Sequence, residues 1–215
     1  MRVRHARRMT RTQLGRPVGA SGEETRRRII VATMSCVAEV GYAKATIREI
    51  ARRANVTSAS LYNYFPNKSE LIKAAIAARA DVAMPRVRRA AEGSGDVIDR
   101  IGAVLDECGQ LMREYPDLAA FEFAIRAENV GASDGRKPRR QPKGFEAFHE
   151  IIEGVIEEAR LRGELGDDPD PRAAVEAIYA LVYGLTELAA TLPAKEYQAA
   201  LGSAKVLVRG TLFGG

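Results

Sequence analysis

Ser58, Ala59, Ser60, Tyr62, Asn63 and Tyr64 crowd one short stretch of the chain, and no acid falls among them. Serine and asparagine donate to and accept from base edges, and a tyrosine hydroxyl donates to phosphate. The carbon of Ala59 or Ser60 meets a thymine methyl. Two cations flank the set, Arg48 upstream and Lys68 downstream. Together these types suit the reading of double-stranded DNA, provided that they share one exposed helix face. The rest of the chain offers little rival chemistry. There is no glycine-rich phosphate loop, no CxxC and no nucleophile elbow. His5 and His149 lack metal-ligand spacing, so neither metal nor cofactor is expected. Cys36 and Cys108 fall on apolar helix faces and read as small core residues in a reduced cytoplasm, with a redox pair as the alternative.

The elements that must position these residues are written in the same segment, 46–70. Thr46 with Glu49 forms a capping box, so a helix starts there. Ile47, Ile50, Ala51 and Ala54 recur at helical spacing and give it one buried face. Asn55 tolerates the left-handed backbone of a sharp turn, and Val56 plugs the gap behind it. Thr57 is the expected N-cap of the second helix and is counted with its DNA-facing set. Leu61 and Phe65 anchor its inner side, which turns residues 58–60 and 62–64 outward. Pro66 stops it. Asn67 with Glu70 caps a third helix, whose start places Lys68 where ammonium and helix dipole both favour a phosphate. Two short helices, a tight turn and a third helix start are the grammar of a helix-turn-helix.

On these residues the chain resembles the tetracycline-repressor-like (TetR) family. The similarity covers a first helix, TRRRIIVATMSCVAEVGY, then ATIREIARRANVTSASLYNYFPNKSELI, about a quarter of the chain. Asn55 stands where the family usually has glycine, and Ala59 at its frequent small residue. The resemblance implies base contacts from Ser58, Ala59, Ser60, Tyr62 and Asn63. It implies phosphate contacts from Thr46, Tyr64 and Lys68, and either kind from Arg48.

Charge distribution agrees. Residues 1–22 carry six arginines and no acid; 23–70 carry eight basic and five acidic residues; 71–215 carry nineteen basic and twenty-three acidic. Positive charge concentrated beside the expected reader is the footprint of a phosphate binder. The expected organisation is a basic disordered arm (1–22) ending in a GASG hinge, a helix-turn-helix domain (23–70), and a helical effector-binding and dimerisation domain (71–215). The arm has no apolar run of a secretory signal. Its arginines either reach phosphates and the minor groove or remain a solvated tail.

The remainder reads as helices, about nine in all, which makes the fold class all-α. Ile30, Met34 and Val37 stripe the first helix, which Gly41 ends. A helix from 68 runs towards 83, where Pro85 bends or breaks it. Val97, Ile98, Ile101, Val104, Leu105, Cys108, Leu111 and Met112 form a strong stripe. Pro116 opens a helix to about 128, and 129–143 form a basic loop. Phe145, Phe148, Ile152, Val155, Ile156 and Ala159 stripe the next helix, ended near Gly163. Asp170 and Pro171 open another, and a last helix spans about 193–211. Residues 173–192 are apolar on most sides. Glu176, Glu187 and flanking prolines argue against a membrane span. Burial in a homodimeric four-helix bundle through residues 171–212 is expected instead.

The resemblance implies a cavity among the middle helices. Met112, Phe121, Phe123, Phe148 and Tyr183 are its candidate walls, and Glu122, Arg126 and His149 its candidate polar groups. The expected protein is therefore a cytoplasmic one-component regulator. It is no enzyme, and it acts as a repressor released from a near-palindromic DNA operator by a small, hydrophobic effector. The alternative is a helical enzyme or interaction module that reads no DNA.

Overall fold

The computed structural model describes residues 18–131, 143–165 and 170–210. Among the described residues there are nine helices and no strand, as the all-α expectation requires. They are α1 (Val18–Lys44), α2 (Ile47–Arg53), α3 (Ser58–Tyr62), α4 (Lys68–Ala91), α5 (Val97–Glu114), α6 (Pro116–Gly131), α7 (Lys143–Leu161), α8 (Pro171–Thr191) and α9 (Ala194–Val208).

Helix α1 begins at Val18 and runs through the stretch expected to be a GASG hinge. Each glycine costs a helix about 1 kcal/mol. That weakens, but does not forbid, a helix that Ile29 and Ile30 anchor in the core further on. Residues 1–17 of the basic arm lie outside the described residues. The buried stripe of α1 is Ile29, Ile30, Thr33, Cys36 and Val37, with Met34 half-buried at its edge. Thr33 sits in it without penalty because its hydroxyl donates to the Ile29 carbonyl at 2.7 Å. The helical dihedrals break at Gly41 (φ 80°, ψ 164°), a conformation that needs glycine.

Of the bend or break expected at Pro85, the break does not occur: α4 continues to Ala91. Proline removes one backbone bond and costs about 3 kcal/mol in a helix interior. Pro85 faces solvent, while Ala83, Val87 and Ala91 stay buried on the opposite face. Burial of that continuing stripe outweighs the lost bond. Arg100 closes the end of α4, its Nε donating to the Ala91 carbonyl at 2.7 Å.

The other boundaries follow their caps. Asp96 caps α5, accepting from the Asp99 amide at 2.9 Å, and the helix stops just before Pro116. Helix α6 runs to Gly131 and α7 starts at Lys143, so both helices cut into the loop expected over 129–143; residues 132–142 lie outside the described residues. Asp170 caps α8, accepting from the Arg172 amide at 3.0 Å, with Pro171 at its first position. Helix α9 closes at Val208, short of the expected 211, and Gly210 follows with φ 72°.

Two cores result. The head core gathers Ile29, Cys36 and Val37 of α1, Ile50 and Ala51 of α2, Leu61 of α3, and Leu71, Ile72, Ala75 and Ile76 of α4. Phe121 and Ile125 of α6 join it. The body core takes Ala83, Val87 and Ala91 of α4, the stripes of α5 and α7, and faces of α8 and α9. Leu118 of α6 belongs to it too. Helices α4 and α6 are thus shared, and each passes from one core to the other within about two turns.

Candidate nucleic-acid interface and internal cavity

Helix α2 is started by Thr46, whose hydroxyl accepts from the Glu49 amide at 3.2 Å. The reciprocal half of a capping box is absent. The Glu49 carboxylate instead accepts from Arg52 (Nε 3.0 Å) and Arg53 (Nε 2.9 Å). Those hydrogen bonds, Arg52 first, hold its pKa down to about 2. Arg53 also reaches Glu39 of α1 at 2.6 Å, which ties α2 to the helix behind it. The one acid of α2 is therefore neutralised in place, and Thr46 and Arg48 remain exposed.

The turn is set by Asn55 at φ 55°, the one non-glycine residue with positive φ among the described residues. The Val56 amide returns to the Ala51 carbonyl at 3.0 Å, which closes the α2 end. Thr57 then caps α3, accepting from the Ser60 amide at 3.0 Å. Leu61 and Phe65 are buried beneath it as expected. Outward stand Ala59, Asn63 and Tyr62, the last 52% exposed; Ser58 and Ser60 are half-buried.

Two placements differ from the sequence expectation. Helix α3 ends at Tyr62, well before Pro66, so Tyr64 no longer follows helical spacing. It is half-buried and packs on the head core rather than facing outward. Lys68 does sit at the first position of α4, where Asn67 caps by accepting from the Glu70 amide at 2.9 Å. Its ammonium, however, donates to the Tyr42 carbonyl and lies 4.3 Å from the Tyr42 ring centroid. Burial there pushes its pKa down. Lys68 must turn away from Tyr42 before it meets a phosphate. Burial likewise pushes the Cys36 and Cys108 thiols up, Cys108 to about 12, and both cysteines are free.

Inside the body lies a small cavity of about 40 Å³. Of the candidates, Met112, Glu122, Arg126, Phe148 and Tyr183 line it. Three do not. Phe121 is buried in the head core, and Phe123 is 42% exposed. His149 lies outside, its ring nitrogens 3.0 Å from Glu176 and 3.2 Å from Glu153. Helix α6 is apolar on several sides, so spacing alone does not say which phenylalanine turns inward.

Sequence reasoning missed Arg79 of α4. It lines the cavity, is buried, and pairs with the Glu122 carboxylate. Glu122 also meets Arg126 at 3.3 Å, and the Arg126 guanidinium lies 4.3 Å above the Tyr183 ring. Burial lowers the Arg79 pKa to about 10, which leaves it charged at neutral pH. The signal was present: Arg79 falls on the register of Ile72, Ala75 and Ile76, an arginine in an apolar stripe.

The family model for bacterial regulatory proteins of the tetR family matches residues 29–75, the stretch that carries α2, α3 and the start of α4. The transcriptional regulator SrpR of Pseudomonas putida is 28% identical over 210 residues, 91% of each chain. A solved Rhodococcus sp. protein assigned to the TetR family is 26% identical and superposes with a TM-score of 0.70 over 86% of this chain and 98% of its own. The regulator FadR of Bacillus subtilis, solved in complex with stearoyl-CoA, is 18% identical and shares the fold with a TM-score of 0.68 over 87% and 99%. The chain is a TetR-family transcriptional regulator, built as a DNA-binding helix-turn-helix head on a helical body.

Proposed function

We propose that two copies of this chain repress transcription in the cytoplasm by holding a near-palindromic operator, and release it when a small, largely apolar effector enters the body cavity. The observation that carries this reading is the outward face of α3. Ala59, Tyr62 and Asn63 are exposed on a helix fixed at both ends, with no unpaired acid beside them. Ser58 and Ser60 complete the base-facing set. Thr46, Arg48, Thr57 and Lys68 supply the phosphate contacts, with Tyr64 at the margin. The chain acts by binding, not by catalysis. An arm (1–22), a head (23–70) and a body (71–215) divide the work, with α4 and α6 spanning head and body.

Dimerisation is supported by α8 and α9. Helix α8 is long and apolar enough to cross a membrane by length and composition, yet only one side of it is buried within the chain. Leu188 and Tyr183 on α8, and Val206 and Leu207 on α9, are exposed. A second copy covers them through residues 171–212. Glu176 and Glu187, also exposed, suit that solution better than lipid. Two-fold symmetry then places two α3 helices in successive major grooves, about 34 Å apart. The cavity, with Met112, Phe148 and Tyr183 among its walls, supports an apolar effector. The complex of FadR with stearoyl-CoA supports the same class.

The test is graded by residue. Lys68→Ala should weaken binding to all duplexes alike and flatten the salt dependence by about one unit. Asn63→Ala should change which bases are preferred. Fluorescence anisotropy on a panel of duplexes at several salt concentrations reads both. An unchanged preference in Asn63→Ala would sink the assigned base-reading face.

A further inference from the structure

We propose that Tyr42 holds the Lys68 ammonium away from DNA and thereby sets how tightly the head binds any duplex. This rests on the reading of Lys68 as a phosphate contact. Tyr42 lies in the last turn of α1, where helix carbonyls run out of partners within the helix. Its carbonyl accepts from the Lys68 ammonium, which comes from the first position of α4, 26 residues further on. The same ammonium lies 4.3 Å from the centroid of the Tyr42 ring, inside the reach of about 6 Å over which a ring attracts a cation. Carbonyl and ring thus share one charge. Burial there lowers the Lys68 pKa, against which Glu128 of α6 favours the charged form. The other candidate phosphate contacts are not held in this way: Thr46, Arg48 and Thr57 stand exposed, while Lys68 is half-buried.

Release requires little rearrangement. The ammonium is a compact charge on a flexible stem, so Lys68 leaves Tyr42 by turning its own side chain. The backbone stays, since Asn67 still caps α4 by accepting from the Glu70 amide at 2.9 Å. In turning, the ammonium exchanges a carbonyl and a ring for a phosphate oxygen. Only the fraction of heads with Lys68 released makes the contact, so the measured affinity falls by that fraction. A phosphate carries no sequence information, so the reduction is the same for every duplex. Selection among duplexes stays with the exposed Ala59, Tyr62 and Asn63. The number of phosphates neutralised in the complex is also unchanged, which leaves the salt dependence as it is. Tyr42 is therefore a positioning residue: it touches no DNA and acts through Lys68. Its effect is to keep a basic head from clinging to DNA by charge alone.

The test uses fluorescence anisotropy with the whole protein, a duplex recovered by selection from a random pool and an unrelated duplex of equal length, each at several salt concentrations. Tyr42→Leu keeps an apolar side chain against the head core and removes the ring. It should bind both duplexes about three- to tenfold more tightly, with the salt dependence unchanged. Damage to the fold would weaken binding, so a gain is not a structural side effect. Tyr42→Phe, which keeps the ring face, should show none of the gain. Tyr42→Leu made in Lys68→Ala should bind as Lys68→Ala does. Should Tyr42→Leu fold poorly, NMR of wild type labelled in its lysine side chains reads the same contact. The Lys68 ε-methylene signal, identified by its loss in Lys68→Ala, should be shifted upfield by the ring in the free protein and return to its ordinary position on the recovered duplex. Weaker or equal binding by a folded Tyr42→Leu, or an upfield signal that persists on DNA, would overturn the proposal. If Lys68→Ala itself changed neither affinity nor salt dependence, the phosphate reading of Lys68 would fall first, and the proposal with it.

Discussion

Glu49 shows how a helix proposed to face DNA tolerates an acid. It sits between Arg48 and the arginine pair Arg52 and Arg53, close to where phosphates would pass. A bare carboxylate there would repel them. Hydrogen bonds from Arg52 and Arg53 absorb its charge and lower its pKa from 4.5 to about 2. Because the folded value is depressed, the ionised group stabilises the head above the ordinary 4.5, and that contribution is lost as pH falls through about 2. Thermal unfolding followed by circular dichroism should therefore show wild type losing stability from pH 4.5 towards 2, and Glu49→Gln following a flatter course over the same window. Parallel curves would mean that the ion pairs contribute nothing to folding. Capping residues and Asn55 were legible in the sequence because their chemistry is local: each cap bonds a backbone amide three residues on, and Asn55 itself tolerates a positive φ. Arg79 was not, because arginine ordinarily marks surface, and its burial depends on a carboxylate contributed by another helix.

At the scale of the element, the α2–α3 turn decides whether the head forms. Asn55 at φ 55° occupies a region that side chains enter at a cost of about 1–2 kcal/mol, least for asparagine and absent for glycine. Asn55→Gly should keep the fold and its stability within about 1 kcal/mol, whereas the β-branched Asn55→Val should cost about 2 kcal/mol. Urea unfolding monitored by circular dichroism separates them, and equal midpoints would show that the turn is not under this constraint. Helices with one clean stripe, such as α5 and α7, were legible over nearly their full lengths. Helix α4 was read short because Pro85 is a local signal and the packing that overrides it is not. Helix α6 was read with its phenylalanines misplaced because it serves two cores: Phe121 faces the head, Leu118 the body, and neither face is polar enough to set a period.

At the scale of the molecule, a single α3 helix five residues long presents too little surface to specify a site alone. In the proposed dimer symmetry doubles it, and the exposed apolar residues of α8 and α9 are the proposed means. Leu207 is 47% exposed in the single chain, so Leu207→Arg should leave the protomer folded. Gel filtration should show it as a monomer with much weakened operator binding; a dimer of unchanged affinity would place the interface elsewhere. The central claim, that this chain reads DNA as a symmetric pair, is tested most directly by selecting bound duplexes from a random pool with the purified protein near physiological salt. The account predicts enrichment of a two-fold symmetric motif whose half-sites lie about one helical turn apart. Binding without enrichment that disappears as salt rises would contradict it, since charge alone would then be holding the DNA.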